Sequence, residues 1–156
     1  MAPSAADDPA SLKAFVEKAA VRETLENYFH GLDARKEDRL AACFTEDAVA
    51  THHKGSDSEL TLVGGDAIAR YFCGLLSTFT ATNHALSNSV IQVTGDTATA
   101  DTFAIAHVVG EGRVRVRGLR YLDELVLLSG RWRIRKRTHI PLWQYEADAV
   151  KPFLPR

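Results

Sequence analysis

Apolar residues recur at steps of three and four along the first part of the chain: Leu12, Phe15, Val16, Ala19, Leu25, Tyr28, Phe29 and Leu32. That period places them on one stripe of a helix, which starts at a Ser11 cap and runs to about Ala34. A shorter helix is expected over about Lys36 to Phe44. Asp47 to His53 and Glu59 to Val63 then read as two short strands around a Gly-Ser-Asp turn. Gly64-Gly65-Asp66 breaks the second strand and opens a helix over about Ala67 to Phe79, whose apolar face is Ile68, Tyr71, Phe72, Leu75, Leu76 and Phe79. Beyond it the period changes to two. Asn83 to Val93, Thr97 to Val109, Arg113 to Leu128 and Arg131 to Trp143 read as four long strands joined by tight turns. Short turns force antiparallel neighbours, because a parallel pair needs a long crossover. The predicted fold is therefore α+β. N-terminal helices pack on a strongly curved, mainly antiparallel sheet, and the sheet wraps them as a cone-shaped α+β barrel with room for a small apolar molecule.

Composition narrows the class without choosing a function. The 156 residues suit one domain, with 46% hydrophobic and 25% charged positions. We expect a polar, disordered N-terminal segment over 1–10, the folded domain over 11–143, and a C-terminal tail over 144–156 that lies across the body or toward a neighbouring subunit. A formal net charge of −1 gives no pull toward nucleic acid or membrane. No apolar run has the length of a membrane span, and the N-terminus lacks the features of a secretory signal, so a cytoplasmic protein is expected. Cys43 and Cys73 lack redox or metal spacing and read as buried thiols.

Four polar positions carry the candidate chemistry: Tyr28 and Asp33 late in the first helix, His84 at the head of a strand, and His107 late in the next. An imidazole titrates near working pH and serves as a base, and a carboxylate on its other nitrogen fixes the tautomer. His84 is assigned as base, Asp33 as its orienter, Tyr28 as donor to a substrate oxygen, and His107 as acid or second donor. Competing readings exist for three of them. Asp33 ends its helix and has Arg35 and Arg39 nearby, His84 stands at a loop-to-strand junction, and His107 shares a strand face with Phe103 and Ile105. His52 and His53 are adjacent on a strand, point to opposite faces, and make a poor metal pair; neither a metal nor another cofactor is expected. Two arginine series, Arg113, Arg115, Arg117 and Arg131, Arg133, Arg135, Arg137, alternate along successive strands. They read as a solvated face, or as an anion-binding patch for a carrier-linked substrate. A bulge would turn Arg137 inward.

The run ENYFHGLDARKEDRLAACFTEDAV, the helix start GGDAIARYF, the strand NHALSN, the turn VTGDTATA and the closing GLRYLDELVLLSGRWRIRKR together resemble the nuclear transport factor 2-like superfamily, and within it the SnoaL-like group. The resemblance covers about Val21 to Trp143. It implies a pocket between sheet and helices. Tyr28, Asp33 and His84 match the Tyr, Asp and His of the bile-acid 7α-dehydratase type, and Asp33, His84 and His107 fall near the Asp and two His of the scytalone dehydratase type. Arg137 matches a frequent arginine of the family's last strand. Arg137, Tyr121, Phe103, Trp143 and Asn88 are the expected substrate contacts. The implied activity is a cofactor-independent lyase, a dehydratase acting on a hydroxylated apolar ring or polyketide-like molecule. An isomerase or polyketide cyclase in the same pocket is the nearest alternative. A non-catalytic ligand-binding or dioxygenase small-subunit-like assembly protein is the other. A homo-oligomer, dimer or trimer, is expected in each case, because one sheet face would otherwise stay exposed.

Overall fold

The computed structural model describes residues 9–149. The expected N-terminal segment over 1–10 and the end of the tail lie largely outside these residues. Helix α1 (Pro9–Asp33) leads into α2 (Glu37–Ala41), then strands β1 (Phe44–His52) and β2 (Leu60–Val63), helix α3 (Gly65–Ser77), and strands β3 (Ala81–Thr94), β4 (Thr97–Gly110), β5 (Arg113–Leu128) and β6 (Arg131–Asp148). The last strand is longer than its alternation predicts. It pairs with the far end of β5 as far as Arg113↔Asp148, so residues 144–148 belong to the sheet.

The sheet order is β2-β1-β6-β5-β4-β3. All neighbours are antiparallel except β1 and β6, which run parallel. The sheet is thus mixed and open, with β2 and β3 as unpaired edges at opposite ends. This corrects the expected architecture. A cone-shaped barrel needs those two edges to meet, and the sheet is neither strongly curled nor closed. Alternation along β3 to β6 predicts antiparallel pairs well but carries no information on whether the ends join.

The helices cover one face. Val21, Leu25, Tyr28, Phe29 and Leu32 of α1 are buried against Ile68, Ala69 and Phe72 of α3 and the inner residues of β1, β4, β5 and β6. Only the second half of the predicted α1 stripe is used, since Leu12, Phe15 and Val16 remain more than half exposed. The hairpin turns Glu111-Gly112 and Ser129-Gly130 have positive φ at both residues, the geometry whose twist matches that of the flanking strands. No described helix is long and apolar enough to cross a membrane.

Two bulges set which side chains face inward. Leu125 pairs with Ile134 but Glu124 with Lys136, so Arg135 is the extra residue. Trp132 and Ile134 point inward before it, and Arg137 and His139 after it. The second shift falls between Gly118 and Leu119, whose partners are Trp143 and Pro141.

Candidate active site

α1 ends where β3 begins, and that junction assembles the first pair of groups. Asp33 closes the helix and points its carboxylate across to His84. His84 Nδ1 lies 2.6 Å from Asp33 Oδ1, and the His84 backbone N–H donates to Oδ2 at 2.6 Å. One carboxylate thus fixes both the ring and the strand that carries it. Asp33 therefore neither pairs with Arg35 nor with Arg39. Arg35 donates to the Phe79 carbonyl, and Arg39 contacts His30. Burial pushes the Asp33 carboxyl up, but the hydrogen bonds and charge of His84 outweigh it and hold the group below its ordinary value. An ionised carboxylate accepts only, so Nδ1 carries a proton, and in the neutral ring the lone pair is then on Nε2. The ring stacks at 22° on Phe29, with 6.2 Å between centroids.

The His84 side chain is 8% exposed, and it lines a cavity of about 300 Å³. Tyr28 and Leu32 of α1, Tyr71, Phe72, Leu75 and Leu76 of α3, and Ala106, Val108, Leu119 and Tyr121 of the sheet give the cavity its apolar body. Tyr28 and Tyr121 are buried wall residues, and burial raises both phenols above their ordinary pKa, so both are neutral donors at neutral pH.

Behind the two phenols lies a buried ion pair. Arg137 donates from Nε and NH2 to the two oxygens of Asp123 at 2.7 and 2.8 Å. Its guanidinium lies 3.8 Å from the Tyr28 ring centroid and 4.8 Å from that of Tyr121. Burial works against this charge, and Asp123 more than compensates, holding the guanidinium above its ordinary pKa.

The structure relocates five of the sequence-predicted residues. Arg137 is not a wall of the cavity; the bulge turns it inward, but Tyr28 and Tyr121 stand in front of it. His107 is on the opposite sheet face, because Thr102, Ala104, Ala106 and Val108 are the buried positions of β4 and His107 is out of phase with them. Phe103 shares that outer face and is 40% exposed, with the Arg120 guanidinium 5.7 Å from its ring. Trp143 is half exposed and stacks near-parallel on Tyr145. Asn88 is exposed at the irregularity between Leu86 and Ser89. None of the five touches the cavity.

The cavity instead recruits three histidines: His52 and His53, which the alternation argument set aside, and His139, which it did not single out. His53 has φ of 54°, so the chain leaves β1 in a left-handed residue immediately after His52, and His53 does not point away from His52. The His52 and His53 rings stack 4.0 Å apart, His139 stacks on His52 at 4.1 Å, and His53 and His139 are 5.2 Å apart, so the three rings form one compact cluster. All three line the cavity. Burial, reinforced by the neighbouring rings and arginines, holds His52 down to about 3 and His139 to about 2, so both are neutral at pH 7. One nitrogen from each of the three lies within 4.8 Å of the others, a distance compatible with a shared metal ion. The ring planes are inclined to one another by 19°, 30° and 43°. Two lone pairs, however, are engaged: His139 Nδ1 accepts the His53 backbone N–H, and His53 Nε2 faces Arg117. The trio as built is a wall of neutral imidazoles. The signal that could have revealed it is the sequence His-His-Lys-Gly-Ser, in which a turn begins immediately after the pair and allows the second residue to leave the strand conformation.

A family model for the SnoaL-like domain matches residues 15–138. The chain belongs to this SnoaL-like family. An uncharacterised protein of Mycobacterium tuberculosis is 27% identical over 133 residues, which cover 82% of this chain and 87% of that protein. Among solved structures, a protein of Novosphingobium aromaticivorans assigned as a scytalone dehydratase superposes with a TM-score of 0.75 at 24% identity, covering 91% of this chain and 96% of that one. The hexachlorocyclohexane dehydrochlorinase LinA-type3 of Novosphingobium barchaimii gives 0.77 at 18% identity, covering 92% and 99%. These SnoaL-like likenesses place the fold beside lyase and dehydratase structures, with a histidine-containing pocket in this chain.

Proposed function

We propose that the protein is a cofactor-independent lyase that removes water from a small, largely apolar carbonyl compound by proton abstraction at His84. The observation that carries this is the Asp33–His84 dyad at the wall of an otherwise apolar cavity. His84 Nε2 takes the proton from the carbon next to the carbonyl, and Asp33 stabilises the imidazolium. The electron pair forms the new double bond as the neighbouring C–O bond breaks. Tyr28 and Tyr121 are the donors available to a carbonyl oxygen on which charge develops, and the Arg137 cation behind them supports that charge. His107 is remote, so the acid that protonates the departing hydroxyl is the His84 imidazolium itself. Isomerisation or cyclisation uses the same base without expelling water and is the second reading within this pocket. The non-catalytic reading is weaker, because an assembly module has no use for a carboxylate-steered imidazole facing an open cavity. The outer sheet face, with Phe103, Ile105, Leu122 and Trp143 exposed, supports assembly into a dimer or trimer alongside catalysis.

A bicyclic ring ketone, 2-tetralone, tests the proton abstraction directly. Exchange of its α-protons with deuterated water, followed by NMR, is expected to be accelerated by the protein and to fall by about 10²–10⁴ in His84→Ala and Asp33→Asn. Acceleration that survives both substitutions removes the dyad from the mechanism.

A further inference from the structure

Arginines on β5 face the last residues of β6 in a ladder. Arg113 stands opposite Asp148, Arg115 opposite Glu146, and Arg117 opposite Gln144. The first two rungs are ion pairs, at 2.8 Å between Arg113 and Asp148 and 2.7 Å between Arg115 and Glu146. The third rung replaces the carboxylate with an amide. Arg117 Nε donates to Gln144 Oε1 at 3.1 Å, and its NH1 approaches His53 Nε2 at 3.4 Å, so its close polar contacts among the described residues are neutral. Arg117 is also a half-buried rung at the cavity wall. Burial, and then the charge of Arg115, hold its guanidinium below its ordinary pKa. Arg117 has no carboxylate of its own; the acidic charge that acts on it is Glu146, which is already paired with Arg115 and Arg113.

We propose that Arg117 is an anion subsite of the cavity, and that the ligand is an apolar ring compound bearing a carboxylate. With Nε given to Gln144, the two terminal nitrogens of the guanidinium are the ones that can offer a planar carboxylate a pair of N–H bonds. His53 borders the same spot, its ring held by a 2.8 Å contact between Nδ1 and Ser58 Oγ. The subsite fixes the acid end of the ligand and leaves the apolar body in contact with the tyrosines and α3. The inference deepens the proposed lyase reading by naming the substrate class, and it rests on the cavity being the substrate site.

The test uses a matched pair of probes, 2-naphthoate and its neutral amide 2-naphthamide, titrated into the intact protein by calorimetry. A charge-assisted bond at a half-buried site is expected to favour the naphthoate by about ten- to a hundredfold. Arg117→Gln removes the cation, and Gln144→Glu supplies the missing carboxylate within the protein. Both are expected to bring the two probes to about equal affinity, with naphthamide binding unchanged. Equal affinity in the wild type, no binding of either probe, or a preference that persists in both variants would overturn the subsite. His84→Ala separates this result from the proposed reaction, because it is expected to abolish tetralone exchange while leaving the naphthoate preference intact. Loss of the preference with exchange still dependent on His84 would sink the subsite alone.

Discussion

Single residues decide the chemistry here, and the decisive ones differ in how far the sequence exposes them. Asp33 and His84 were singled out by the pairing of a carboxylate with an imidazole and by the family resemblance, although each sits at the boundary of an element, where a polar side chain also has ordinary structural reasons to be. Arg137 was legible as an inward residue only on the assumption of a bulge, and its partner was not legible at all. Asp123 lies 14 residues away in the chain, in a strand that reads as ordinary alternation. The pair makes a sharp prediction. Asp123→Asn leaves a guanidinium that is 3% exposed without its counter-charge, and is expected to cost about 3–5 kcal/mol in urea unfolding. The double variant Asp123→Leu, Arg137→Met removes both charges and is expected to recover most of that loss, because an apolar pair of similar volume has no ion to desolvate. Its tetralone exchange is expected to stay low, since the cation behind Tyr28 and Tyr121 is gone. Recovery of stability with full recovery of exchange would assign the pair to packing alone.

At the level of elements, periodicity located α1, α3 and the long strands β3 to β5 closely, because each repeats its pattern several times; it ran the short α2 on to Phe44, which opens β1, and stopped β6 at Trp143 although the strand continues to Asp148. It also misplaced interruptions of the pattern, where one residue changes phase. The extra residue at Arg135 swaps the faces of β6, and the left-handed His53 turns one imidazole onto another. Both changes depend on partners far away in the chain, and a single strand's alternation cannot register them. His107 shows the same limit in reverse. Its phase in β4 is regular, but the sequence alone does not say which face of an alternating strand carries the helices. The turn residues offer an element-scale prediction. Ser129 has φ of 51° beside Gly130 at 75°, and a left-handed conformation costs serine roughly 1–2 kcal/mol, which asparagine largely avoids. Ser129→Asn is expected to raise the unfolding free energy by about 0.5–1 kcal/mol, read from the urea midpoint. Exchange of tetralone protons should not change, since this turn lies outside the cavity lining.

The whole molecule joins an open sheet to helices on one face, and it builds its cavity where the end of β1, the head of β3 and the inner face of β5 and β6 converge. Closing the sheet is unnecessary for that, because α3 supplies the wall that a closed barrel would have provided. Concentrating imidazoles in such a place has a cost that depends on pH. His139 is 3% exposed, and burial with the adjacent His52 and His53 lowers it from 6.5 to about 2. In the unfolded chain the same side chain takes up its proton at the ordinary value, so between these two pH values the unfolded state binds one more proton than the folded state. Stability contributed by the neutral ring is therefore complete above pH 6.5 and declines as the pH falls toward about 2. The limiting slope for one such group is about 1.4 kcal/mol per pH unit. His52, lowered to about 3, acts in the same direction. The Asp33 carboxyl, held below its ordinary value of 3.8, adds its loss only at the acid end of this range. Urea unfolding at a series of pH values is thus expected to show stability falling from about pH 6.5, well above the carboxylate range. His139→Gln keeps a polar side chain of similar reach without the titration, and is expected to make that limb shallower, His52 supplying the remainder, while leaving the steeper loss below pH 4. A wild-type profile that stays level down to pH 4 would mean that the stacked imidazoles open and protonate within the folded protein.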